Sequence, residues 1–273
     1  LPNQKGLTPC SAGAYLCNGK TTAMRIHVNT TTEHLRDFAE RLPELFDREG
    51  EVLHTGRNTI KVFEVNGERL VVKRFCRPNL LRAVIYTFFR RSKARRSYEH
   101  AVRLRALGID SPEPIAWSEY RRHGLLSDSY YISRCSDYTP LSQTTGHFPS
   151  AGTVPVLEAF ARFAGQLHEQ GIEHRDFNHG NVLWRRDTAT GANRFQLIDI
   201  NRMHFEDRPL SSRACMINLR RLSCPTVAFF YILDRYAETR GWNVDDTLLR
   251  GTFFRLAFGR RKEFRKRFRR HKR

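Results

Sequence analysis

His174-Arg175-Asp176-Phe177-Asn178-His179-Gly180-Asn181 is the stretch from which the rest of the chain can be read. Phosphoryl transfer asks little covalent chemistry of a protein; it needs a cation on the nucleotide phosphates, oxygen ligands for a metal ion, and a carboxylate near the attacking hydroxyl. A carboxylate after His-Arg, with an amide five residues on, matches that need: the carboxylate faces the nucleophile and the amide turns back toward the metal. Asp176 is therefore the candidate base. Asn181 and Asp199, the latter expected on a strand after the loop, are the candidate metal ligands, and a few hard oxygens of this kind suit magnesium. Taken singly, Asp176 and Asn181 also fit a helix cap or a turn, but the joint pattern outweighs that alternative.

Upstream of the loop, Val154 to Gln170 carries Leu157, Phe160, Ala164 and Leu167 on one helical face and ends at Gly171, a C-cap residue. Val182 to Trp184 and Arg194 to Ile200 read as short strands, and 213–238 and 246–273 as mainly helical. Nearer the N-terminus, Thr32 to Phe46 has the spacing of an amphipathic helix. Val52 to Thr55, Thr59 to Val65 and Glu68 to Phe75 are strand-like, with Asn66-Gly67 a strong hairpin signal between the last two. The residues from 80 to 107 read as one helix stopped by Gly108, and Ile115 to Tyr120 with Leu125 to Ser133 as a further hairpin. Lys73, late on a hairpin strand, is the candidate for the nucleotide's inner phosphates, and Glu99 on the following helix is its candidate partner. Alone, each is more simply a solvated surface group, and such a surface pair is worth at most about 1 kcal/mol. Their order relative to the loop and Asp199 favours the functional reading.

The fold class expected is α+β, with a small strand-rich lobe followed by a helical one. The segments are 1–23, a disordered arm or start-site extension without periodicity, ahead of the chain's first Met, Met24; 24–138, the nucleotide-binding lobe; 139–253, the lobe with the catalytic loop and metal site; and 254–273, a basic amphipathic tail. With 47 Lys plus Arg against 28 Asp plus Glu, the formal charge of +19 favours anionic partners. No helix-turn-helix, zinc-finger or aromatic-sheet motif supports nucleic acid. Six cysteines without Cys-x-x-Cys spacing point to a reducing compartment. No apolar run approaches the roughly 20 residues of a membrane span, and no secretory signal is recognisable, so a cytoplasmic location is expected.

From about Gly50 to Leu222 the chain resembles the lipopolysaccharide-core kinases, the heptose and Kdo kinases, of the protein-kinase-like superfamily. The residues that carry the resemblance are Val71-Val72-Lys73-Arg74-Phe75, the segment Glu99 to Pro114, Gln166-Leu167-His168 before the loop, the loop itself, and Leu197-Ile198-Asp199-Ile200-Asn201-Arg202. The resemblance implies ATP and magnesium, with the γ-phosphate passing to a sugar hydroxyl of a membrane glycolipid. It implies Lys73 on the ATP phosphates, Glu99 opposite Lys73, Asp176 as base, and Asn181 and Asp199 on the metal.

The sequence also departs from the protein-kinase pattern. Thr55-Gly56-Arg57-Asn58 stands in place of a Gly-x-Gly-x-x-Gly loop, leaving Gly56 as the position of close phosphate approach. Asp199-Ile200-Asn201 replaces Asp-Phe-Gly, and no Ala-Pro-Glu segment follows, which argues against a phosphorylation-switched activation loop. Position 178 is Asn where Ser/Thr protein kinases have Lys, so a cation is missing beside the transferring phosphate. A soluble-substrate kinase of the aminoglycoside or choline type and an inactive membrane adaptor are the rival readings. The first gives no reason for the chain's basic aromatic segments, and the retained Lys73, Asp176, Asn181 and Asp199 oppose the second.

Two such segments stand out. Phe254 to Arg273 has eleven Lys or Arg and one Glu, with Phe254, Phe258, Phe264 and Phe268 on one face. Leu80 to Arg96 combines Ile85, Tyr86, Phe88 and Phe89 with six Lys or Arg. Each fits either docking on the protein's own core or contact with an anionic membrane at its cytoplasmic face.

Overall fold

The computed structural model describes residues 11–17 and 20–270, in two compact units divided between Ser136 and Asp137. The first unit is built on a seven-stranded antiparallel sheet. Its strands are β1 (Ser11–Cys17), β2 (Lys20–Val28), β3 (Glu51–Thr55), β4 (Thr59–Val65), β5 (Glu68–Arg74), β6 (Pro114–Arg122) and β7 (Leu125–Arg134), in the order β1-β2-β6-β7-β5-β4-β3. The expected hairpins form. Asn66 and Gly67 adopt φ of 51° and 76°, as do His123 and Gly124, the pair of left-handed residues that a tight two-residue turn between twisted strands requires.

A 3-10 turn, Thr30–Leu35, leads into α1 (Arg36–Arg48), so the helix expected from Thr32 begins a turn later. Its Phe38, Leu42 and Phe46 bury one stripe against Ile26, Leu70, Val72, Tyr130 and Ile132 of the sheet. Burial of this kind contributes about 1.5–3 kcal/mol per large side chain.

Two expectations for this unit are corrected. Residues 11–17 and 20–23 of the supposed extension lie in β1 and β2, with Ser11 registered opposite Ile26 and β2 paired to β6; residues 1–10 lie outside the described residues. The single helix expected over 80–107 is three pieces: α2 (Leu80–Val84), a π-helical turn (Ile85–Phe89), and α3 (Lys93–Ala106). The break has a local cause. Ser92 takes an extended conformation, and its side chain accepts the Arg95 N–H as the N-cap of α3. Before it, Phe88 and Phe89 remain 68% and 81% exposed, with no packed face to continue the helix.

The second unit holds β8 (Thr139–Pro140), α4 (Ser142–Thr145), α5 (Val154–Glu169), β9 (Ile172–His174), β10 (Val182–Arg186), β11 (Asn193–Leu197), β12 (Met203–Phe205), α6 (Ser212–Leu219), α7 (Thr226–Arg240) and α8 (Val244–Arg270). Gly171 closes α5 at φ 72°. A side chain there would meet the Glu206 and Arg208 carbonyls at 2.2 and 2.5 Å, so only glycine lets β12 come in to pair with β9. Gly251 likewise lets α8 lie against Leu233 of α7. The fold class is the one expected, α+β with a strand-rich first unit and a helical second. Among the described residues no helix is long and apolar enough to cross a membrane.

Candidate active site

The loop between β9 and β10 folds around the backbone carbonyl of Asp176. That oxygen accepts from the Asn178 N–H at 2.8 Å, from Asn178 Nδ2 at 3.2 Å and from Asn181 Nδ2 at 2.9 Å. Asn178 Oδ1 in turn accepts the Gly180 N–H at 2.9 Å. Position 178, where a cation is missing, therefore braces the loop. Phe177 is wholly buried, with its ring 5.7 Å from that of Phe160 and 6.0 Å from that of His174, and anchors the loop to α5.

Below the loop runs a buried polar chain whose proton positions follow from its fixed donors. The Asp176 N–H donates to His174 Nδ1 (3.2 Å), so His174 Nε2 carries the hydrogen and donates to the Ile198 carbonyl (2.9 Å). Asn218 Nδ2 on α6 donates to the His174 carbonyl (2.7 Å), which turns Asn218 Oδ1 toward His168 Nε2 (3.0 Å). His168 Nδ1 then accepts from the Tyr236 hydroxyl (2.9 Å), which receives Arg240 Nη1 (3.1 Å). Such a chain is valuable only when every member is satisfied. Burial pushes His174 below the usual imidazole range and His168 down to about 4.

The sign of the resulting pH effect is fixed. Below pH 6.5 the unfolded chain takes up a proton that folded His168 refuses until about pH 4, so stability is present above 6.5 and lost as pH falls between those values. At 1.36 kcal/mol per pK unit the loss is about 3 kcal/mol. Denaturant titrations at pH 7 and pH 4.5 should record it, and His168→Gln, which hydrogen-bonds without titrating there, should flatten the slope. An equal slope in both proteins would remove His168 as its source.

Asp199 departs from expectation. β11 ends at Leu197, and Asp199 stands outside the strand in the left-handed region, φ 53° and ψ 40°, before a 3-10 turn, Ile200–Arg202. A ladder residue cannot adopt that conformation, but Asp tolerates it. The Ile198 N–H donates to the Asn181 carbonyl at 3.0 Å, tying the Asp199 turn to the loop. Asp199 Oδ1 accepts from Asn201 Nδ2 at 2.8 Å. The fold thus draws Asp176, Asn181 and Asp199 into one corner of the second unit. With Asn181 Nδ2 committed to Asp176, its Oδ1 is the end of the amide left to face a cation. Among the described residues no three His, Cys, Asp or Glu cluster as a metal site. One carboxylate and one amide oxygen fit magnesium, which takes few protein ligands and completes its shell with phosphate and water.

Lys73, Glu99 and Gly56 belong to the first unit. Lys73 on β5 places its ammonium 5.3 Å from the centre of the Phe75 ring. Lys93, which the sequence did not single out, lies 5.9 Å from the same ring, and burial followed by the Arg57 charge lowers its pKa. Glu99 is gripped by Arg91 and Arg95 at 2.8 Å each. Gly56 is exposed in the turn between β3 and β4. Sequence reasoning also passed over Arg221, just beyond α6, whose Nη1 lies 3.8 Å from Asp176 Oδ1. No local pattern marks it, because the contact is made only by the tertiary fold.

The antiparallel sheet unit, followed by a helical unit carrying this braced loop, defines a phosphotransferase of protein-kinase-like fold. The sequence profile of the "Lipopolysaccharide kinase (Kdo/WaaP) family" matches residues 48–237. The chain belongs to that family, whose members phosphorylate sugar hydroxyls. Among solved structures it is similar to one described as "WaaP in complex with acyl carrier protein", with a TM-score of 0.59 and 18% identity over 87% of this chain and 97% of that one. No curated protein matches the chain in sequence.

Proposed function

We propose that the protein transfers the γ-phosphate of ATP to a sugar hydroxyl of a lipopolysaccharide-type glycolipid at the cytoplasmic face of a membrane. The observation that carries this reading is the loop in which the Asp176 backbone carbonyl takes three hydrogen bonds while the Asp176 carboxylate stays 39% exposed, within a chain of the lipopolysaccharide kinase family. In the reaction, the Asp176 carboxylate receives the proton of the acceptor hydroxyl, the hydroxyl oxygen bonds to the γ-phosphorus, and the bond to the bridging oxygen breaks to release ADP. Asn181 and Asp199 would hold magnesium, which neutralises charge on the phosphates. Lys73 is the proposed contact of the inner phosphates and Gly56 a point of backbone approach. Glu99, given its two arginines, would act on Lys73 only within that shared cluster. Incubating the protein with ATP, magnesium and detergent-solubilised lipopolysaccharide core should add the mass of one phosphate to the lipid. ATP consumption with no change in lipid mass would overturn the glycolipid reading.

Peripheral membrane contact is part of this proposal. Phe258 of α8 is covered by Arg220 and Arg221, with guanidinium carbons 5.0 and 5.4 Å from its ring centre. Farther along, Phe264 and Phe268 are 62% and 59% exposed, with rings 4.5 Å apart among lysines and arginines. Docking on the protein's own core thus accounts for the helix only as far as Phe258. Near an anionic bilayer each cation contributes about 1 kcal/mol, decaying within a Debye length. Deleting residues from Gly259 onward should release the protein from anionic liposomes at low salt while sparing transfer to a water-soluble acceptor fragment. A large fall in Tm with unchanged liposome binding would instead make this segment a structural helix.

A further inference from the structure

The Asp176 carboxylate emerges from the loop toward Arg221. Arg220 and Arg221 follow α6 and both lie against Phe258, while Arg255, almost one turn earlier on α8, packs over Phe229 at 4.3 Å. Arg255 Nη2 donates to the Cys224 carbonyl at 2.6 Å. Two of the cluster's donors, Arg220 Nε and Arg255 Nη1, are buried without a hydrogen-bond partner among the described residues. Leaving such a donor unmet is costly, more so when it is charged. Burial, then the charges of Arg221 and Arg261, hold the Arg220 pKa below its ordinary value. Among the described residues the carboxylate that meets the cluster is Asp176, and at 3.8 Å from Arg221 it is too distant for a tight ion pair. Half-buried guanidinium groups, of which Arg220 and Arg221 repel each other, with two buried N–H donors unmet among the described residues, form a site that an anion would complete, and guanidinium forks suit carboxylate and phosphate equally.

We infer that Arg220, Arg221 and Arg255 form an anion subsite that takes a carboxylate or phosphate group carried by the acceptor sugar, beside the hydroxyl that faces Asp176. The inference rests on the proposed role of Asp176 as base. Position favours the acceptor over the nucleotide. Asn181, the proposed metal ligand, meets Asp176 through its backbone carbonyl, whereas Arg221 approaches its carboxylate, the end that receives the acceptor proton. The subsite also supplies a cation near the base in a chain whose position 178 is committed to bracing the loop.

The primary variant is Arg220→Gln, because the Arg220 side chain packs on Phe258 and, among the described residues, makes no hydrogen bond that the fold would lose. Kinetics on the full chain would use detergent-solubilised lipopolysaccharide core in three forms: intact, with carboxylates reduced to alcohols, and with phosphates removed. The variant should raise KM for the intact acceptor about tenfold or more, with kcat and the KM for ATP moved far less, since an interaction equal in ground and transition states acts on KM. The difference between variant and parent should vanish on whichever treated acceptor has lost the recognised anion. An equal KM for both proteins on intact acceptor, an equal penalty on all three, or a rise confined to the KM for ATP would overturn the inference; the last would assign the cations to the transferring phosphate. Sulfate keeps the subsite testable if no glycolipid is phosphorylated at all. Millimolar sodium sulfate should raise the Tm of the parent more than that of Arg220→Gln or Arg221→Gln, and equal shifts in all three proteins would overturn the anion site itself.

Discussion

Asp176→Ala is expected to lower phosphoryl transfer by about 10²–10⁴-fold, the range removed with a positioned general base, while ATP affinity stays within a few-fold of the parent. The structure makes this substitution informative, because Asp176 supports the loop through its backbone. Its carbonyl accepts from Asn178 and Asn181 and its N–H donates to His174, and alanine keeps all of these. The side chain meets Arg221 at 3.8 Å, an ion pair half open to water whose loss costs little stability. Turnover and ATP titration on the same preparation separate the two halves of the expectation. Turnover within a few-fold of the parent would remove Asp176 as the base.

What the sequence made legible was local. The loop from His174 to Asn181 is contiguous, the hairpin at Asn66-Gly67 is dictated by two left-handed residues, and the helix ending at Glu169 is closed by a glycine that the Glu206 carbonyl forbids to any other residue. Legibility failed where long-range packing decides. The apolar run through Leu80 to Phe89 looks continuous with α3, yet Ser92 caps a new helix, and Leu80, Leu81, Phe88 and Phe89 stay exposed. Asp199 follows a strand-like run, but its left-handed backbone places it outside the ladder. Met24, Ile26 and Val28 become core because β2 pairs with β6, a partner far along the chain, and no nearby periodicity announces that pairing. Arg221 and the His168–Asn218–His174 chain join residues from separate helices and strands, so the polar frame under the loop emerges only with the fold.

Asp199→Asn is expected to weaken ATP binding in the presence of magnesium by roughly a hundredfold, about 2.7 kcal/mol, and to change metal-free ATP binding far less. A neutral amide is a poor ligand for a hard dication, whereas a carboxylate supplies both charge and oxygen. The backbone supports this choice of variant. Asp199 sits at φ 53°, a left-handed conformation that asparagine adopts as readily as aspartate, so the turn into Ile200–Arg202 should survive. The amide oxygen can also still accept from Asn201 Nδ2, which holds Asp199 Oδ1 at 2.8 Å in the parent. What the substitution removes is therefore the negative charge beside Asn181. Transfer should fall at least as far as magnesium-dependent binding, because charge developing on the phosphates in the transition state loses the same compensation. Calorimetric titration of ATP with and without magnesium distinguishes this from damage to the fold. Equal losses under both conditions, with a lowered Tm, would make Asp199 a structural residue of the turn and leave the metal to other oxygens.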